Sequence, residues 1–88
     1  MAVYKVELSN QAERTLSRIA ERETTLYPRV ANALDDLERD PFQGKLLKGE
    51  LKGRYSYRVG DYRIIYSIRQ HELLVLVIDI GHRRDVYR

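Results

Sequence analysis

RYSYRVGDYRIIYSI, residues 54–68, is the stretch from which the rest of the chain is read. Successive side chains of a strand point to opposite faces, and Gly60-Asp61 is a two-residue turn signal between two such alternating runs, so the stretch predicts a tight β-hairpin. If Val59 pairs with Tyr62, then Arg58 faces Arg63, Tyr57 faces Ile64, Ser56 faces Ile65 and Tyr55 faces Tyr66. One face then carries Tyr55, Tyr57, Val59, Tyr62, Ile64, Tyr66 and Ile68, enough apolar and aromatic area to anchor a core. The other carries Arg58 and Arg63 side by side. Two like charges directly opposed on a sheet are unfavourable unless an anion or a carboxylate lies between them, and nucleic-acid phosphate is the leading candidate.

Outward from the hairpin, Gln70-His71-Glu72 makes a second turn, and residues 73–80 are nearly all apolar, interrupted only by Asp79. A strand apolar on both sides belongs at the centre of a sheet, with the hairpin on one side and the N-terminal strand on the other. That first strand is residues 3–8, where Tyr4, Val6 and Leu8 form the buried side. Ser9-Asn10 starts a helix, with Asn10 and Glu13 at capping-box spacing and Ala12, Leu16, Ile19 and Ala20 at helical spacing to about Glu21. A second helix follows the Thr24-Thr25 cap with Pro28 in its first turn. Leu26, Val30, Ala33, Leu34 and Leu37 line one face, and it ends before Asp40-Pro41. Residues 40–53 read as one extended loop carrying Lys45, Lys48 and Lys52, which either contact phosphates or are ordinary solvated lysines. The expected fold is one α+β domain over residues 1–88: an N-terminal strand, an antiparallel helix hairpin and a three-stranded antiparallel meander. These give a four-stranded sheet with helices on one face and a short C-terminal tail.

Eighty-eight residues support one small core and no second domain. The absence of cysteine excludes disulfides and thiolate metal sites. Residues 1–10 lack the apolar core of a signal peptide, and no apolar run approaches the roughly 20 residues of a membrane helix, so a cytoplasmic protein is expected. The net charge of +3 is unevenly spread: residues 1–44 hold six Lys/Arg against eight Asp/Glu, and residues 45–88 hold ten against five. A basic half of this kind suits a polyanion or an acidic protein partner, though a solvated charged surface gives the same count.

The sequence has no glycine-rich phosphate loop, no nucleophile elbow and no His or Cys pair at metal spacing. Its candidate constellation needs no cofactor: Arg58 and Arg63 from the hairpin, with His82, Arg83 and Tyr87 from the tail. Cleavage of RNA is one reaction such a set supports, because RNA carries its own nucleophile, the 2′-OH, beside the scissile phosphate. Arginine stays charged and presents a fork to phosphate oxygens, which suits it to stabilise a phosphorane and makes it a poor base. Histidine is the side chain suited to proton transfer at neutral pH, which makes His82 the natural acid or base, while Tyr87 can act as an acid, as a base if perturbed, or as a stacking platform. The plainer reading makes His82 a surface residue and packs Tyr87 on the core edge.

The order of elements resembles the RelE/ParE superfamily of toxins from type II toxin–antitoxin pairs. The specific segments are Leu51-Lys52-Gly53 running into residues 57–66, and residues 80–87, IGHRRDVY. The resemblance implies, for the RelE branch, a ribosome-dependent endoribonuclease that cuts messenger RNA in the ribosomal A site without metal. It assigns Arg58, Arg63, Arg83 and Tyr87 to the site, with Lys45, Lys48, Lys52, Arg54, Ser56, Arg84 and Arg88 expected to hold RNA or ribosome. Where some members have a lysine two residues before Arg58, this chain has Ser56, and His82 is the residue that can take over that proton-handling role. The implied partners are a cognate acidic, RelB-like antitoxin in a hetero-oligomer, and the ribosome with its messenger, with no membrane. ParE-type members share the fold and poison DNA gyrase instead, and an inactive relative would serve only as a binding module.

Overall fold

The structure, a computed structural model, describes residues 3–82. Arg83, Arg84, Tyr87 and Arg88, four of the expected site residues, lie outside the described residues.

The hairpin forms with the register that alternation dictates. β1 is Lys5–Leu8, α1 Asn10–Arg22, α2 Leu26–Arg39, β2 Lys45–Leu46, β3 Tyr55–Val59, β4 Tyr62–Arg69 and β5 Leu74–His82. β3 and β4 pair antiparallel with Val59 opposite Tyr62 and Arg58 opposite Arg63, around a Gly60 at φ +60°, a conformation that favours glycine. The five described strands are ordered β1-β5-β4-β3-β2, with β5 central and β1 parallel to it. The extra strand, against the four expected, is β2. Lys45 pairs with Ser56 and Leu46 with Tyr55, inside the segment read as plain loop. Two residues carry no alternation, so only their pairing partner reveals them.

Two smaller departures concern starts. Ser9, rather than Asn10, caps α1, because its hydroxyl accepts from the Ala12 N–H at 3.1 Å and donates to the Ile78 carbonyl at 2.7 Å, tying the helix start to β5. Leu73 lies in the left-handed region and closes a 3₁₀ turn, so β5 begins at Leu74.

Both helices cover one face of the sheet. Ala12, Ile19, Val30, Ala33 and Leu37 meet Val59, Ile64, Tyr66, Val75, Val77 and Ile80 in the core. Tyr66 is its keystone: fully buried, stacked on Tyr55 at 5.6 Å and donating to the Pro41 carbonyl at 2.7 Å. A side chain at Gly44 would collide with the Tyr66 hydroxyl, so the loop that follows α2 is seated against this ring.

Candidate functional site

Arg58 and Arg63 stand opposite one another on the sheet face turned away from the helices, and Gly81 of β5 completes their row. The next row holds Lys45, Ser56 and Ile65 from β2, β3 and β4, with Asp79 of β5 paired to Ile65, so Lys45, Ser56, Arg58 and Arg63 share one face. Ser56 and Ile65 are buried there. Arg58 is exposed and its Nε donates to the Gly60 carbonyl at 3.2 Å, whereas Arg63 is half-buried rather than fully exposed. Lys48 and Lys52 are exposed around the 3₁₀ turn Gly49–Leu51, and half-buried Arg54 leads into β3. No group of three metal-ligating side chains gathers among the described residues.

His82 is placed elsewhere. It pairs with Tyr62, its ring edge-on at 5.7 Å, on the face that carries the helices. It borders a cleft of about 430 Å³ with Gln11, Thr15, Arg18, Glu23 and Tyr62, where the Tyr62 hydroxyl donates to Glu23 at 3.1 Å. The cause is an irregularity in β5: Tyr66 pairs with Val77 but Ile65 with Asp79, so one extra residue, Ile78, enters the strand. Val75 and Val77 point into the core, and after the bulge so does Ile80, three residues on rather than two. The bulge inverts the phase of everything after it, and His82 goes to the helix side while Arg58 and Arg63 face the other way.

One residue near the arginine pair was invisible in the sequence. Arg29, in the first turn of α2, brings its guanidinium nitrogens to 3.3 Å from where a Cβ of Gly60 would stand. Its helical neighbour Asp36 accepts from the Tyr57 hydroxyl at 3.4 Å and pairs with Arg39 at 3.3 Å. Burial first, then the Asp36 carboxylate, push the Tyr57 phenol above its usual range. Burial pushes Tyr66 up to about 12.

Residues 6–87 match the family described as ParE toxin of type II toxin-antitoxin system, parDE. The chain belongs to this family, within the RelE/ParE superfamily. Toxin RelG of Mycobacterium tuberculosis is 37% identical over 86 residues, 97% of each chain. Toxin RelE of the same organism is 34% identical over 97% of this chain and 87% of its own. Among solved structures, the RelBE2 toxin–antitoxin complex of M. tuberculosis superposes with a TM-score of 0.81 at 33% identity, covering 97% of each chain. The archaeal RelE–RelB complex of Pyrococcus horikoshii follows the same fold, with a TM-score of 0.72 at 26% identity over 96% of this chain and 99% of that one. In this toxin Lys45, Arg58 and Arg63 share the sheet face turned away from the helices.

Proposed function

We propose that this toxin is a ribosome-dependent, metal-independent endoribonuclease that cuts messenger RNA in the ribosomal A site and so stops translation. The observation that carries the reading is the Arg58/Arg63 pair, held opposite one another by strand register on the face away from the helices, with Lys45 in the adjacent row. In the reaction the 2′-oxygen attacks the adjacent phosphorus as its proton is removed. The bond to the 5′-oxygen breaks and that oxygen receives a proton. Arg58 and Arg63, with Arg83 from the segment after β5, neutralise the charge on the phosphorane oxygens. Arginine does not transfer the protons. We assign that work to Tyr87 ahead of His82, because His82 faces the helices and the arginine pair faces away. The physiological partner in this reading is an acidic, RelB-like antitoxin. Two observations support it: solved relatives named as complexes with RelB, and the excess of basic residues in the second half of the chain. The site of action is the cytoplasm, and no helix among the described residues is long and apolar enough to cross a membrane.

The test is a purified translation reaction. The expected result is codon-phased cuts in the messenger only when ribosomes are present, retained in His82→Gln with an unchanged single-turnover pH profile and abolished in Tyr87→Phe. The matched family bears the ParE description, which favours a second reading, gyrase poisoning. Intact messenger together with trapped gyrase–DNA complexes would establish that reading and sink the first.

A further inference from the structure

The β3–β4 turn gathers more positive charge than the hairpin alone supplies. Arg58 donates from Nε to the Gly60 carbonyl, and the Arg29 guanidinium of α2 lies over the same glycine from the other side. Arg63 is across the strand pair from Arg58. The three guanidiniums therefore run from the sheet face away from the helices, over the rim at Gly60, to the first turn of α2. Between α2 and β3 a shallow cleft of about 280 Å³ opens at that rim, lined among others by Arg29, Asn32, Asp36, Tyr57 and Arg58. The carboxylates nearby are Asp36, engaged with Arg39 and the Tyr57 hydroxyl, and Asp61 in the turn itself.

Arg29 has no local reason to be where it is. The first turn of α2 contains no acidic residue, and a cation there opposes the positive end of the helix dipole. Arg29 is also exposed, with only its guanidinium end set against Gly60. Two like charges at one glycine, added to a helix end of the same sign, are mutually repulsive until an anion arrives. A single phosphate on the sheet face beside Arg58 would leave Arg29 unrelieved. A chain of phosphates passing over the rim would reach it.

We propose that Arg29 is a phosphate-binding residue for the RNA flanking the scissile position, with Arg63, Arg58 and Arg29 forming one track and Asn32 at its far end within the cleft. This deepens the ribonuclease reading and rests on RNA being the substrate. The ligand is the ribose–phosphate backbone of a single strand, so Arg29 contributes affinity and register rather than chemistry.

The experiment measures binding of a short, uncleavable 2′-O-methyl RNA to the full chain by fluorescence anisotropy across a salt series. It compares wild type, Arg29→Gln, Arg29→Lys and, as a control on α1, Arg14→Gln. The expected result is about tenfold weaker binding for Arg29→Gln at low salt and a salt slope shallower by about 0.7, the value of one single-strand phosphate contact. Arg29→Lys should restore the slope, and Arg14→Gln should change neither quantity. Thermal unfolding should be unaffected by both Arg29 variants. Equal losses in Arg14→Gln and Arg29→Gln would reduce the effect to general surface charge and overturn the proposal. So would an Arg29 dependence seen for a polyglutamate peptide and absent for RNA, which would make the rim a protein-docking surface. Arg29-dependent RNA binding by a protein that leaves messenger intact on ribosomes would support the track while removing the nuclease reading.

Discussion

Alternate residues of one hairpin live under different rules. Tyr55, Tyr57, Val59, Ile64 and Tyr66 face the helices and are fixed by burial, while Ser56, Arg58 and Arg63, each one residue away, face the other side. On the first face, every contact lowers the energy of the chain by itself. On the second, strand register holds Arg58 and Arg63 opposite one another, an arrangement of like charges that the proposed RNA backbone would favour. Substitutions on the two faces should therefore separate stability from activity.

The largest effect belongs to the buried face. Tyr66→Ala removes a fully buried ring, its stack on Tyr55 and its bond to the Pro41 carbonyl, and should cost about 3–5 kcal/mol in equilibrium denaturation. A midpoint close to wild type would show that this face is not the determinant described. Next come the arginines. Arg58→Ala should lower ribosome-dependent cleavage by roughly 100- to 1,000-fold, the range for losing one preorganised charge-stabilising donor, with the denaturation midpoint unchanged because Arg58 is exposed. Arg63→Ala should lose as much activity and also about 1 kcal/mol of stability, since it is half-buried. If the two variants lose only stability, the face away from the helices is structural and the contrast between the faces fails.

Tyr66→Phe sharpens the comparison more gently, removing one buried hydrogen bond at a cost of about 1–2 kcal/mol. It carries a pH signature. Tyr66 keeps its proton to about 12 in the folded chain, against 10.0 for an unperturbed phenol, so between those values the unfolded chain binds fewer protons. The contribution to stability is whole below pH 10 and declines as pH rises towards 12. Tyr66→Phe should flatten that part of the alkaline unfolding curve, and an unaltered curve would move the effect to other groups. Lys45→Gln, at the rim of the face away from the helices, should have the smallest effect: a salt slope for RNA binding shallower by about 0.7 and no change in where the messenger is cut.

The hairpin was legible residue by residue because strict alternation and a two-residue turn leave one register in which Val59, Ile64 and Tyr66 are all buried. The helices were legible from their apolar spacing, and the central position of β5 from its apolar character on both faces. That same character hid the bulge. With Leu74, Leu76 and Ile78 as apolar as Val75 and Val77, the sequence of β5 has no phase from which an extra residue could be noticed, and the face of His82 depends on it. The placement of Arg29 was hidden for another reason. It stands as a lone cation among neutral residues of α2, and only the packing of α2 over β3 carries it to Gly60. Local pattern predicts which strand a residue joins, whereas convergence of distant charges follows from the packing of whole elements.

The parallel pairing of β1 with β5 bears on the order in which the molecule assembles. The bond from the Ser9 hydroxyl to the Ile78 carbonyl joins residues 69 apart, whereas the β3–β4 hairpin closes across two residues. Loop closure of that length must precede any reward from the β1–β5 contact, so loop entropy favours forming the arginine-bearing hairpin before the outer parallel strand docks. In that order the face carrying Arg58 and Arg63 is assembled before the edge of β5 is sealed by β1.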